Sequence, residues 1–416
     1  MTSMLGAVLH PLAGATLAVT LALSGAGNAQ AQSGGKVTIW VGSWWEPQVA
    51  LVKQMWIKDH PDIALDIQPL PINGYLDKFT TAALGGSPPD VIDLDTTWVS
   101  TVAALGLLEP LADVAAKLPV ADISPAAWNA SQFKGVQYAI PNRSGPGVYY
   151  YNKTVFDKAG VPYPANDWTY DDFLKIAQKL TIPGQQYGVG VPADVSDPSN
   201  VTTMFAPILW AMGGDFLTPD GSAPAINSPT SVKAITFWAD LYLKHHVTPE
   251  GTPNFTTTRD IQPLFEANKV GMLTASSNAF DNFSKNPELK WDVVLSPEKV
   301  NRGGGWTMGV PVGATNPNGA KTFLLWLSQP EIMAKAMNRF PANKKALDLP
   351  PWNDPAKAIF KQAEADGRSV PSVAGWFKMQ EAIIVELQRI LVGQKTPQQA
   401  ADTAAARISE IIAESK

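Results

Sequence analysis

The chain has 416 residues, 45% of them hydrophobic and 17% charged, with a net charge of −5 and no cysteine. That length suits about two to three globular units, and the composition excludes a disordered or collagen-like chain. No block of five or more basic residues occurs, which argues against nucleic acid as a partner. The missing cysteines rule out disulfides, thiolate metal sites, Cys nucleophiles and a lipidated N-terminal Cys.

From Leu5 to Ala29 there is no Asp, Glu, Lys or Arg, and Ala15 to Leu23 is apolar apart from two threonines. The run ends in Ala29-Gln30-Ala31, a small-x-small cleavage pattern, so residues 1–31 are expected to be a signal peptide. The region before it departs from pattern, because the first basic residue is Lys36. The apolar run is short for a bilayer span, which takes about 20 residues. The mature chain, from Gln32, is expected to be soluble and exported.

Val37, Ile39 and Val41 alternate and predict a strand over Lys36 to Val41. Trp44-Trp45-Glu46 then reads as a loop, with a helix from Pro47 that ends at Pro61. Ile63 to Gln68 reads as a strand, Tyr75 to Leu84 as a helix and Val91 to Leu94 as a third strand. Such alternation predicts parallel strands with helical crossovers, an α/β fold. Pro141, Gly145, Pro146 and Gly147 break the pattern before a strand at Tyr149-Tyr150-Tyr151. Thr169 with Asp172, Ser228-Pro229 and Thr396-Pro397-Gln398-Gln399 read as helix starts. A second break spans Asn301 to Pro311 and includes Gly303-Gly304-Gly305-Trp306. Trp56, Trp238 and Trp326 fall on apolar helical stripes and are assigned to the core.

The usual chemical signatures are missing. There is no phosphate-binding G-x-x-x-x-G-K-[ST] loop, dinucleotide G-x-G-x-x-G turn or G-x-S-x-G elbow. The four histidines, His10, His60, His245 and His246, show no zinc-ligand spacing. No catalytic residue, metal or cofactor is assigned.

Several segments, read together and in order, resemble a known family. They are Pro89-Asp90-Val91-Ile92-Asp93-Leu94-Asp95, Gly106-Leu107-Leu108-Glu109-Pro110-Leu111, Tyr138-Ala139-Ile140-Pro141 with Tyr150-Tyr151-Asn152-Lys153, and Trp168 to Phe173. Met212-Gly213-Gly214, Lys269-Val270-Gly271-Met272 and Phe323 to Leu327 continue the match, as do the C-terminal helices from Gly375. The chain is similar to the extracellular solute-binding proteins of carbohydrate ABC importers, of the maltodextrin-binding type. The resemblance implies a two-lobed periplasmic-binding-protein fold, each lobe a β-sheet flanked by helices, joined by crossover hinge segments. The crossings would lie near Tyr138 to Ser144, Val300 to Gly304 and Phe340 to Lys344. One lobe would hold residues 32–140 and 304–340, the other 141–303 and 341–416.

A sugar ring offers an apolar C–H face and a rim of hydroxyls, which suits aromatic rings beside carboxylates, amides and guanidiniums. Trp44, Trp45 and Glu46 follow the first strand and either meet the sugar or pack between the lobes and cap the helix. The resemblance puts Asp95 near a hydroxyl-binding position, where it also suits an N-cap, with Trp98 beside it. Asn142 and Arg143 lie at a crossover and serve either ligand or hinge backbone. Trp210 suits cleft or core. By resemblance Asn278 and Phe280 occupy a stretch of stacking aromatics, one of them replaced by Asn here, and Trp376 matches another stacking position. Trp306, flanked by glycines, is the leading stacking candidate, and Arg339 at the third crossover could reach hydroxyls.

The expected function is capture of a neutral sugar between the lobes and its delivery to an ABC permease at the inner membrane. The protein would be a periplasmic monomer without a lipid anchor, and not an enzyme. The alternatives are ferric-ion capture through Tyr149, Tyr150 and Tyr151 and a secreted glycoside hydrolase, which needs paired carboxylates.

Overall fold

The computed structural model describes residues 35–415, so the expected signal peptide lies outside the described residues. Nine strands carry the two main sheets: β1 (Gly35–Gly42), β2 (Ile63–Leu70), β3 (Val91–Asp95), β4 (Ala139–Ser144), β5 (Val148–Asn152), β6 (Tyr187–Val189), β7 (Val270–Ala275), β8 (Trp291–Val294) and β9 (Gly305–Gly309). The alternation in the first strand does what it predicts: Val37, Ile39 and Val41 are fully buried. β1 pairs in parallel with β2 and β3, and β9 runs antiparallel between β3 and β4, giving the order β2-β1-β3-β9-β4. The second sheet has the order β8-β5-β7-β6 and is antiparallel except for β6 against β7. The α/β class and two-lobed architecture are as expected, although parallel pairing is confined to part of each sheet.

Each sheet is held by helices whose apolar faces the sequence announces. Trp56 and Trp326 meet at right angles behind the first sheet, ring centroids 5.2 Å apart, beside Phe323. Trp238 is buried over the second sheet with Phe173 and Phe205. Thr169 with Asp172 and Thr396 with Gln399 form reciprocal capping boxes, and Ser228 caps Pro229–Leu243. The tyrosines of β5 alternate as a strand requires, Tyr149 and Tyr151 joining one core and Tyr150 the other.

Three local readings need correction. Trp44-Trp45-Glu46 is not a loop: Ser43–Gln48 is a 3-10 helix with Pro47 inside it, and the α-helix begins only at Val49. Proline's fixed φ fits that tighter turn as well as an α-helical start. Pro141 does not break the chain but lies within β4, an edge strand where a missing N–H is tolerated. The expected lobe boundary at residue 140 therefore cuts a continuous strand. The glycine-rich break holds β9, and there Gly305 has φ 152° and sits against β4. A Cβ on Gly305 would lie 2.2 Å from the Arg143 carbonyl oxygen, so only glycine allows the strands to meet.

Between Ser144 and Val148 the chain leaves the first sheet for the second, and between Val294 and Gly305 it returns. These crossings touch each other. Gly145 N donates to Gly304 O and Gly147 N to Arg302 O, and beside them Ser144 N donates to Phe340 O of a separate segment.

Candidate functional site

The site begins with strand register. Trp306 on β9 lies opposite Asp95 of β3 on one side and Arg143 of β4 on the other. Thr307 then pairs with Pro141, leaving Asn142 as an extra residue, a β-bulge beside the crossing. The bulge separates two neighbouring side chains. Asn142 Nδ2 donates to Asp93 Oδ1 at 2.8 Å, whereas the Arg143 guanidinium lies 4.6 Å from the ring centroids of both Trp44 and Trp306.

A cavity of about 170 Å³ opens there, between the ends of the two sheets. From the first sheet and the crossings it receives Asp95, Arg143, Ser144, Gly305, Trp306 and Arg302. From the other side come Ser199, Asn200 and Thr203 of helix Pro198–Ala211 and Ser276, Ser277 and Asn278 after β7, with Arg339 completing the wall. Its volume is below the roughly 300 Å³ at which pockets for drug-sized ligands begin, and it suits one compact solute. A larger groove of about 570 Å³ lies between Leu76–Leu105 and Ala374–Ser415, where Leu76, Leu105, Phe377 and Ile411 share the wall with Asp77, Lys378, Glu381 and Glu414, and among the described residues no arginine or tryptophan lines it.

Electrostatics are set by burial. Asp95 caps helix Thr96–Ala104, accepting from Thr97 N at 2.9 Å. Asp93, fully buried behind Arg143, is pushed up to about 7, because burial penalises its charge more than Arg143, Asn142 and Trp45 relieve it. Burial pulls Arg143 down to about 10 against the opposing pull of Asp93, and it also lowers Arg302 and Arg339. Arg302 Nη1 reaches Thr203 Oγ1 at 3.3 Å and Ser199 Oγ at 3.5 Å, while its Nε has no partner among the described residues.

Of the residues singled out from sequence, Asp95, Arg143, Asn278, Trp306 and Arg339 come together at this cavity. Trp44 and Trp98 stand behind them, edge-on to Trp306 at 4.3 and 5.4 Å. The face of Trp306 is partly taken by Arg143, so it is less open than a bare stacking platform. The others lie elsewhere. Trp45 is buried in the first core, its Nε1 donating to Asp93 at 3.1 Å. Glu46 is exposed on the 3-10 helix. Asn142 is held by Asp93 behind the wall. Trp210 bonds Asp215 and packs on Phe216, and Trp376 is fully buried against that phenylalanine. Phe280 packs on Trp291 and Phe360. Tyr149, Tyr150 and Tyr151 are all buried and none lines the cavity.

Sequence reasoning passed over Arg302, Ser199, Asn200, Thr203, Ser276 and Ser277. Two signals were available: Arg302 opens the glycine run, and Ser276-Ser277-Asn278 is a polar cluster at the C-terminal end of a strand, where α/β folds bind ligands.

The profile of the bacterial extracellular solute-binding proteins matches residues 42–334. The chain belongs to that family. Relatives in it are extracellular solute-binding proteins. A relative from Brucella abortus is 25% identical over 378 residues, covering 88% of this chain and 90% of its own. An ABC transporter solute-binding protein of Thermotoga lettingae, solved with alpha-D-tagatose, is 26% identical with a TM-score of 0.79, over 91% of this chain and 99% of its own. An ABC substrate-binding protein of Listeria monocytogenes in complex with cycloalternan is 25% identical with a TM-score of 0.79, over 91% and 99%. Among the described residues of this solute-binding protein, no helix is long and apolar enough to cross a membrane.

Proposed function

We propose that this solute-binding protein captures a sugar in the cavity between its two sheets and delivers it to the permease of an ABC importer. The observation that carries the reading is the convergence of donors and acceptors from both sheets on one small cavity with Trp306 in its wall. Hydroxyl, amide and guanidinium groups match a sugar's rim, and an indole edge or face matches its C–H surface. The sugars bound by the Thermotoga and Listeria proteins support the same reading. The hydrolase alternative fares less well, since among the described residues Asp95 is the single carboxylate in the wall and glycoside hydrolysis ordinarily uses two.

In this account the two lobes, with the first boundary at the crossing between Ser144 and Val148 rather than at residue 140, move as two bodies about the crossings. Sugar favours the closed arrangement by its differential affinity for the two states. The permease then reads the closed pair of surfaces. The protein works as a periplasmic monomer, released after cleavage near Ala31.

A thermal-shift panel of common sugars, followed by calorimetry on those that respond, tests this. A sugar at 100 times its Kd stabilises the fold by about 2.7 kcal/mol. A panel without any shift would refute sugar capture.

A further inference from the structure

The chain has seven arginines. Arg259, Arg368, Arg389 and Arg407 each pair with a carboxylate. The other three, Arg143, Arg302 and Arg339, all line the cavity, and none forms an ion pair among the described residues. Arg143 and Arg302 are each 8% exposed, and the Nε atoms of Arg302 and Arg339 are buried without a partner among the described residues. A buried cation is costly unless an anion pairs with it. Asp95 supplies one negative charge to the wall, with its Oδ1 already engaged by Thr97, and Asp93 behind the wall offsets Arg143. Ser199 and Asn200 belong to the first turn of a 14-residue helix, whose dipole adds positive potential there.

We infer that the ligand is an acidic sugar, whose carboxylate or phosphate group is held by Arg302 and Arg339 while its ring lies toward Trp306 and Asp95. This rests on the sugar-binding reading and replaces the expectation of a neutral ligand. An anionic group satisfies the orphan N–H donors and supplies the missing counter-charge in one contact. Guanidinium forks suit both anions through paired hydrogen bonds. A neutral sugar's hydroxyls would satisfy the donors but leave the charge excess in place.

The test is calorimetry on the mature protein with matched pairs, D-galacturonate against D-galactose and D-glucose 6-phosphate against D-glucose, together with inorganic phosphate. At least one acidic member should bind about 10- to 100-fold tighter than its neutral twin, the range expected for charge-assisted hydrogen bonds. Arg302→Gln should bring that ratio close to one while changing the neutral twin's affinity far less. If that variant does not fold, Arg339→Gln at the less buried position carries the same expectation. The inference is overturned if neither acidic sugar binds, if the neutral twins bind as tightly, or if the ratio survives in the folded variants. Tight binding of neutral twins alone would leave sugar capture standing. Inorganic phosphate binding as tightly as glucose 6-phosphate would keep the anion site and sink the sugar reading instead.

Discussion

Asp93→Asn should make the protein's stability much less dependent on pH. The carboxylate is fully buried, accepts from Trp45 Nε1 and Asn142 Nδ2, and is raised from 3.8 to about 7. Its sign follows from proton counting. Between pH 4 and 7 the unfolded chain has released this proton while the folded chain still holds it, so rising pH favours unfolding. The loss starts near the unfolded value and levels off above the folded one. Integrated between pH 5 and 8, those two values make it about 2 to 3 kcal/mol. The amide has no charge to bury, and Asn142 Oδ1, which has no partner among the described residues, can accept from it once the Asn142 amide rotates. Asp93→Ala is the contrast: it leaves both donors unpaired, at about 1–3 kcal/mol each. Urea unfolding at pH 5 and 8 measures all three proteins. An Asp93→Asn variant that loses as much stability between those pH values as the parent would refute the reasoning.

Glu364→Gln should flatten the same pH profile independently, by about 2 to 3 kcal/mol between pH 5 and 8, because burial raises Glu364 from 4.5 to about 7 where it accepts from Ser124 and Ser144. An unchanged urea profile would count against it. Trp306→Ala should weaken binding of the bound sugar by about 1 kcal/mol, since the ring forms wall and buttress together with Trp44 and Trp98; unchanged affinity by calorimetry in a folded variant would move Trp306 out of the site. Gly305→Ala should lower unfolding free energy by about 1–3 kcal/mol, given φ 152° and the 2.2 Å approach to Arg143 O. An unshifted melting temperature would contradict the close-approach argument.

Local pattern carried most of the fold. The period-two burial of Val37, Ile39 and Val41, the reciprocal caps at Thr169 and Thr396, and the core placement of Trp56, Trp238 and Trp326 all follow from spacing alone. The site was half legible. Asp95, Arg143 and Trp306 become neighbours through antiparallel pairing of β9 with two strands distant in sequence, and only the glycine run hinted at it. Trp45 and Trp376 misled because an indole that stacks on a sugar and one that fills a core look alike in sequence. What separates them is a partner such as Asp93 for Trp45 or Phe216 for Trp376. Arg302 was missed for a related reason. A single arginine reads as surface charge until the fold buries it in a wall where, among the described residues, it forms no ion pair.

A crystal structure grown with the sugar that gives the largest thermal shift tests the central claim most directly. The account predicts density for one sugar in the cavity between the sheets, its ring toward Trp306 and Asp95 and its polar groups on Arg302, Arg339, Thr203 and Asn278. Density in the groove between Leu76–Leu105 and Ala374–Ser415, with the cavity between the sheets holding only water, would contradict it.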